Sequence, residues 1–257
     1  MEIKIMEYDV KLSNDELVIC SRLRKMKLST MANTLEQIFK DPLTPNRSFL
    51  EICSDLVNSE WDARRNKKFK KLLSKSGIKY QDAAFDDKLY LPDRNIDHEL
   101  VSKLSSCEWI QAGKTVVITG KTGTGKSYLA SAFGICALHK DFTVRYESTN
   151  NLLQKLASAN ENPTTFLAYS NELFSYDLLI IDDYGLMELD IVKCQLLFSL
   201  LDARENKKAT LITSQIPVKD WYGMFADNTY ADACMERMSK GSYRLVLDGP
   251  SLRSDHL

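Results

Sequence analysis

The sequence predicts an α/β domain built on a parallel sheet with helices on both faces, preceded by a small all-helical domain. Three observations carry this. From Lys114 onward, short runs rich in β-branched residues alternate with segments of helical period. A glycine-rich loop follows the first run directly, and four apolar residues followed by two aspartates close the third.

Composition fits such a fold. The 257 residues are 44% hydrophobic and 27% charged, an ordinary balance that excludes a mainly disordered chain. No window approaches the roughly 18 consecutive apolar residues a spanning helix needs. The opening MEIKIMEYDVKLSND lacks a signal-peptide layout, so a cytoplasmic protein without a membrane segment is expected. Six cysteines (Cys20, Cys53, Cys107, Cys136, Cys194, Cys234) form no CxxC pair and have no close histidine, so they read as small core residues. Net charge is −1, yet residues 1–84 carry 16 Lys+Arg against 12 Asp+Glu, leaving 18 against 23 for residues 85–257. The two parts are therefore expected to do different jobs, with a domain boundary between 84 and 85.

In the first part, Leu17, Leu23, Met26, Met31, Leu35, Ile38 and Phe39 recur at helical spacing. Asp41-Pro42 and Thr44-Pro45 interrupt the pattern, and a second helix is expected to open near Ser48 and stop at Gly77. Along it, WDARRNKKFKKLLSKSGIK sets eight basic residues (Arg64, Arg65, Lys67, Lys68, Lys70, Lys71, Lys75, Lys79) against Asp62 alone. Taken alone, the run reads equally as a phosphate-contacting surface or as a solvated face. Trp61 and Phe69 read as core residues of that helix.

After a loop and a short helical pattern around Leu100, Leu104, Trp109 and Ile110, strands are expected at 115–119, 143–146, 176–182, 209–213 and 243–247. Gly120-Lys121-Thr122-Gly123-Thr124-Gly125-Lys126-Ser127 follows the first as a full G-x-x-x-x-G-K-[ST] loop, and an apolar helical stretch follows the loop. Strand, loop and helix in that order let backbone N–H groups and the helix's positive end converge on phosphates. Lys126, expected in a solvent-facing loop, would neutralise β- and γ-phosphate oxygens, and the Ser127 hydroxyl would hold Mg2+. The chain is thus a P-loop NTPase on this reading.

Leu178-Leu179-Ile180-Ile181-Asp182-Asp183 has the form of a Walker B strand, with Asp182 directed to the metal and Asp183 to an attacking water. The next strand ends in Thr213-Ser214-Gln215, where a γ-phosphate sensor and an ordinary polar turn are both compatible with the pattern. Arg237 and Arg253 are the late arginines that could serve a γ-phosphate from another subunit.

These motifs, taken with LRKMKLSTMANTLEQIF, the FDD segment at Phe85, TLITSQIPVKDWYGMF and ADACMERMSKGSYRLVLDGPSLR, resemble the IstB-like ATPases, helpers of insertion-sequence transposition related to DnaC-type helicase loaders within the AAA+ superfamily. The resemblance runs from about Leu17 to Arg253. It implies an ATP- and Mg2+-dependent, DNA-binding ATPase that works with a transposase of the IstA type. It also implies a homo-oligomeric ring or spiral with the ATP site at a subunit interface. Carried over by position, Gly120 to Ser127 bind ATP, Asp182 serves Mg2+, Asp183 takes the catalytic acidic place and Arg237 the arginine-finger place. Sensor duty falls near Ser214 and Gln215. The chain ends soon after Arg253, so a lid domain is expected to be absent or very short. The resemblance also turns the basic run toward double-stranded DNA, with Arg64, Arg65, Lys67, Lys68, Lys70 and Lys71 contacting phosphates largely independently of sequence. A DnaC-like helicase loader, whose amino-terminal helices grip a helicase, remains the alternative, as does a module that holds ATP as a clamp and barely hydrolyses it.

Overall fold

A computed structural model describes residues 11–85 and 95–252 of the chain. Two compact units meet at the Lys70–Lys71 junction, within one long helix. Residues 71–84, which the sequence groups with the amino-terminal part, thus belong to the second unit. Side-chain packing accounts for this: buried Ile78 lies against Gly134, where an added Cβ would sit 3.0 Å from the Ile78 and Ile180 side chains.

The first unit begins with α1 (Asn14–Lys25) and α2 (Ser29–Lys40), which pack on each other. A capping box opens α1, with Ser13 and Glu16 satisfying each other's backbone N–H groups. The single helical pattern read across Leu17–Phe39 is in fact two helices. Lys27 takes φ +61°, and the N–H of Leu28 bonds back to the carbonyl of Leu23, the helix-closing geometry usually marked by glycine. The third helix, α3 (Phe49–Ser76), opens with a second box made by Ser48 and Glu51. It ends where Gly77 adopts φ +71°.

From α3, Glu60 reaches the otherwise uncapped start of α2, accepting from the N–H groups of Thr30 (3.0 Å) and Met31 (3.1 Å). Arg64 completes the clasp by donating to Glu60 (2.8 Å) and to the carbonyl of Lys27 (2.9 Å). Trp61, expected in a core, is 65% exposed. It sits one residue past Glu60 on the helix and so points away from the clasp.

In the second unit, α4 (His98–Ser105) and α5 (Glu108–Gln111) lead into a five-stranded sheet. Its strands are β1 (Thr115–Gly120), β2 (Val144–Ser148), β3 (Leu178–Tyr184), β4 (Ala209–Ser214) and β5 (Tyr243–Leu247). Their order is β2-β3-β4-β1-β5 and every pairing is parallel. Helices α6 (Lys126–His139), α7 (Thr149–Asn160), α8 (Pro163–Ser175), α9 (Ile191–Arg204) and α10 (Asn228–Ser239) make the crossovers and cover both faces.

Cover on both faces explains why β3 reads as the unbroken apolar run Leu178–Ile181, all of it buried. The loops after β1, β3 and β4 meet at one edge of the sheet, the carboxyl end, where open α/β sheets bind ligands. Arg204 is buried at the opposite edge and donates to the carbonyls of Leu173, Tyr176 and Ala209; burial pulls its guanidinium down to about 10. Among the described residues, no helix is long and apolar enough to cross a membrane.

Candidate nucleotide-binding site

At the carboxyl edge lies a cavity of about 230 Å³ whose walls include Thr122, Gly123, Lys126, Ser127, Asp183 and Gln215. The glycine-rich loop forms one side. Gly123 takes φ +84°, and an added Cβ there would come within 2.1 Å of the Ser251 hydroxyl, so the loop needs glycine for conformation and for space. Gly125 caps α6 in the left-handed region, and the first turn of α6 presents its N–H groups at the loop. Lys126 opens that helix. Contrary to the solvent-facing expectation, it is only 5% exposed, and its ammonium donates to the carbonyl of Lys121 at 2.8 Å.

On the other side, β3 delivers two carboxylates through a break in register. Ile181 pairs with Ile212 and Tyr184 with Ser214, so Asp182 and Asp183 together face Thr213 alone. This is a β-bulge, with Asp183 at φ +57°. The Thr213 hydroxyl fills it, donating to Asp182 Oδ1 and accepting from the Asp183 N–H at 3.1 Å. The bulge turns the two neighbours apart. Asp182 points inward and is 1% exposed; Asp183 lines the cavity.

Asp182 is held from several elements. Ser127 Oγ donates to its Oδ1 at 3.0 Å, and the Tyr146 hydroxyl on β2 donates to Oδ2 at 2.5 Å. Burial first, and the Asp182 charge next, push the Tyr146 phenol well above its usual range, so it stays a donor. A hydroxyl and a carboxylate converging beside a phosphate loop form a pair of hard oxygen donors that could hold Mg2+.

An IstB-like ATP-binding protein family model matches residues 21–257. The chain belongs to this family. The insertion sequence ATP-binding protein y4pL of Sinorhizobium fredii is 32% identical over 232 residues, covering 90% of this chain and 94% of its own. The ATP-binding protein of insertion sequence IS232 from Bacillus thuringiensis is 26% identical, covering 95% and 98%. Among solved structures, the crystal structure of DnaI matches with a TM-score of 0.54 at 17% identity, over 69% of this chain and 93% of that one. Domain III of the Thermotoga maritima replication initiation protein DnaA matches with a TM-score of 0.52 at 18% identity, over 67% and 69%. These two likenesses show that the parallel sheet and its covering helices share a fold with those proteins.

Other positions expected from the sequence fall in different places in this IstB-like protein. Gln215 reaches the phosphate loop, accepting from the Thr122 hydroxyl at 2.6 Å. Ser214 does not line the cavity: it is fully buried, and its hydroxyl donates to the carbonyl of Tyr184 at 2.7 Å. Side chains alternate across a strand, so Ser214 and Thr213 point to opposite faces, and Thr213 is the one that meets the aspartates.

Arg237 lies away from its own chain's phosphate loop. It shares a cleft with Thr115 and Thr210, the amino ends of β1 and β4, donates to Asp202 at 2.5 and 3.1 Å, and stacks over Phe198 at 4.7 Å. Arg253 falls outside the described residues.

Of the basic run, Arg65, Lys67, Lys68 and Lys70 are exposed on α3, and Arg64 is committed to Glu60 and Lys27. Lys71 is exposed too but belongs to the second unit. Sequence reasoning missed Tyr146 and Thr213 as partners of Asp182, and Tyr80 and Tyr128, whose rings stand 5.9 Å apart in the cavity wall.

Proposed function

We propose that the protein is an ATP- and Mg2+-dependent ATPase that binds double-stranded DNA and assists the transposition of an insertion sequence, regulating a partner transposase of the IstA type. The observation that carries the nucleotide chemistry is the convergence of Ser127 and Asp182 beside the loop Gly120–Ser127. Relatives named as insertion sequence ATP-binding proteins support the biological setting.

In this reading the N–H groups of the loop and the start of α6 bind the phosphates, with Lys126 exchanging the Lys121 carbonyl for phosphate oxygens. Ser127 and Asp182 would hold Mg2+, which when bound neutralises charge developing on the phosphates. Asp183 orients the attacking water and accepts its proton at the carboxylate, and Gln215 fixes the loop through Thr122. Arg237 lies at the other end of its own sheet, which supports a role toward a neighbouring subunit's site. The protein then works as a homo-oligomer, and its Arg237 leaves Asp202 on assembly. The exposed cations of α3 contact duplex phosphates without reading bases.

The test is co-sedimentation of the protein with duplex DNA of two unrelated sequences, with and without ATP and Mg2+, followed by addition of a transposase of the IstA type. ATP-dependent binding to both duplexes and recruitment of the transposase are expected. Capture of a replicative helicase in place of the transposase would turn the reading toward a helicase loader.

A further inference from the structure

Lys79 is a cation that nucleotide binding leaves unassigned and that stands against the candidate metal ligand. The chain leaves α3 through Gly77, whose φ is +71° and whose added Cβ would come 3.0 Å from the carbonyl of Tyr146. It therefore crosses directly over the strand that carries the Tyr146 hydroxyl to Asp182. Ile78 is buried and anchors the strap. One residue later, Lys79 Nζ stands 3.7 Å from Asp182 Oδ2. Tyr80 follows, forming part of the cavity wall, and the Ala84 N–H donates to the Tyr128 hydroxyl at 3.3 Å.

Asp182 is nearly inaccessible to solvent, and a carboxylate in that position needs hydrogen bonds and a nearby positive charge. Ser127 and Thr213 serve Oδ1; Tyr146 and Lys79 serve Oδ2. The Lys79 side chain, unlike its partner, is 43% exposed, so it can withdraw into water at little cost. An arriving divalent ion brings two positive charges to the same carboxylate, where an ammonium already in place is repelled.

We propose that Lys79 is a resident counter-ion of Asp182 that the metal of a metal–nucleotide complex displaces, making the strap of residues 77–84 a sensor of the metal-loaded state. This rests on the phosphate-loop reading above. Release of Lys79 also loosens Tyr80, over whose ring its ammonium sits at 5.8 Å, so the strap yields where it borders the cavity.

Two readouts on the full chain test this. Acylation of Lys79 by an amine-reactive ester, followed by mass spectrometry, should be slow with ADP and EDTA. It should rise roughly tenfold with ADP and Mg2+, as the ion pair opens. In Lys79→Met, the ratio of ADP affinity with Mg2+ to ADP affinity with EDTA should rise roughly tenfold over wild type, because the competing charge is gone. Lys79→Arg should keep the wild-type ratio. Acylation indifferent to Mg2+, or a ratio unchanged in Lys79→Met, overturns the proposal. A fall in ADP affinity with and without Mg2+ also overturns it, since Lys79 would then be a phosphate ligand. A wild type that binds no ADP, like Lys126→Ala, would instead condemn the phosphate-loop reading.

Discussion

Ser127 Oγ donates to Asp182 Oδ1 at 3.0 Å, joining residues 55 positions apart in the chain. The contact exists because β1, which feeds the phosphate loop, and β3, which carries the aspartates, both flank β4 and run parallel to it. Their carboxyl ends therefore finish at the same edge.

On the proposed reading, the bulge at Asp182–Asp183 assigns metal binding to one carboxylate and turnover to the other. Asn tolerates the left-handed region about as well as Asp, so Asp183→Asn should keep the backbone at φ +57° and leave nucleotide binding within about twofold. ATP hydrolysis should fall by roughly 10²- to 10⁴-fold, the contribution of a lost general base. Comparing steady-state phosphate release with equilibrium ATP binding in the same preparation checks this. Equal turnover in the two proteins would favour the ATP-clamp alternative.

Thr213→Val keeps the side-chain shape and removes one hydroxyl. That deletion takes a donor from Asp182 and the acceptor from the Asp183 N–H, leaving two polar groups in the bulge short of partners. A loss of about 1–3 kcal/mol in unfolding free energy is expected, together with weaker Mg2+-dependent ATP binding. Denaturant unfolding and nucleotide titration measure the two effects.

The Glu60 clasp makes the amino-terminal unit sensitive to acid. The Arg64 guanidinium, then the Met31 N–H, hold the Glu60 carboxyl below its usual range. A carboxyl depressed in the folded state contributes stability that is complete above its unfolded pKa, about 4.3, and is lost as pH falls through its lower folded value. Thermal melts of the full chain at stepped pH should show this loss in wild type. Glu60→Gln should be less stable at neutral pH and should flatten the dependence below pH about 4.

How much of this was legible beforehand follows from how local each feature is. The phosphate loop is eight contiguous residues, and Leu178–Asp183 is one strand, so both read directly from the sequence. Tyr146 and Thr213 meet Asp182 only through the registers of three strands; an aromatic within a strand reads first as packing, and Thr213 at its strand end reads as a γ-phosphate sensor or a polar turn. The end of α1 was hidden because Lys27, not glycine, takes the left-handed position. Arg64 looked like its basic neighbours, yet Glu60 and the Lys27 carbonyl claim it. The packing of Ile78 against Gly134, 56 residues on, was not legible because nothing near Ile78 marks its partner.

That commitment of Arg64 shapes the test of the basic helix. Replacing Arg65, Lys67, Lys68 and Lys70 together with Gln spares the clasp. If these side chains contact duplex phosphates, the salt dependence of binding should lose roughly 0.9 in log–log slope per charge removed, for all sequences alike. ATP affinity should stay at the wild-type value, because the phosphate loop lies in the other unit. Fluorescence anisotropy with two unrelated duplexes across a salt series reads both quantities, and an unchanged slope would assign the run to solvation.

The central claim is that Gly120–Ser127 binds the nucleotide, and calorimetric titration of ATP with Mg2+ into wild type and Lys126→Met tests it most directly. Methionine keeps the length and apolar stem of a side chain that is only 5% exposed, so the variant should fold, as circular dichroism would verify. Saturable one-site binding by the wild type, weakened at least about 100-fold in Lys126→Met, is the predicted result, since the ammonium's charge-assisted contacts to the phosphates are lost. Equal ATP affinity in the folded variant would contradict the account.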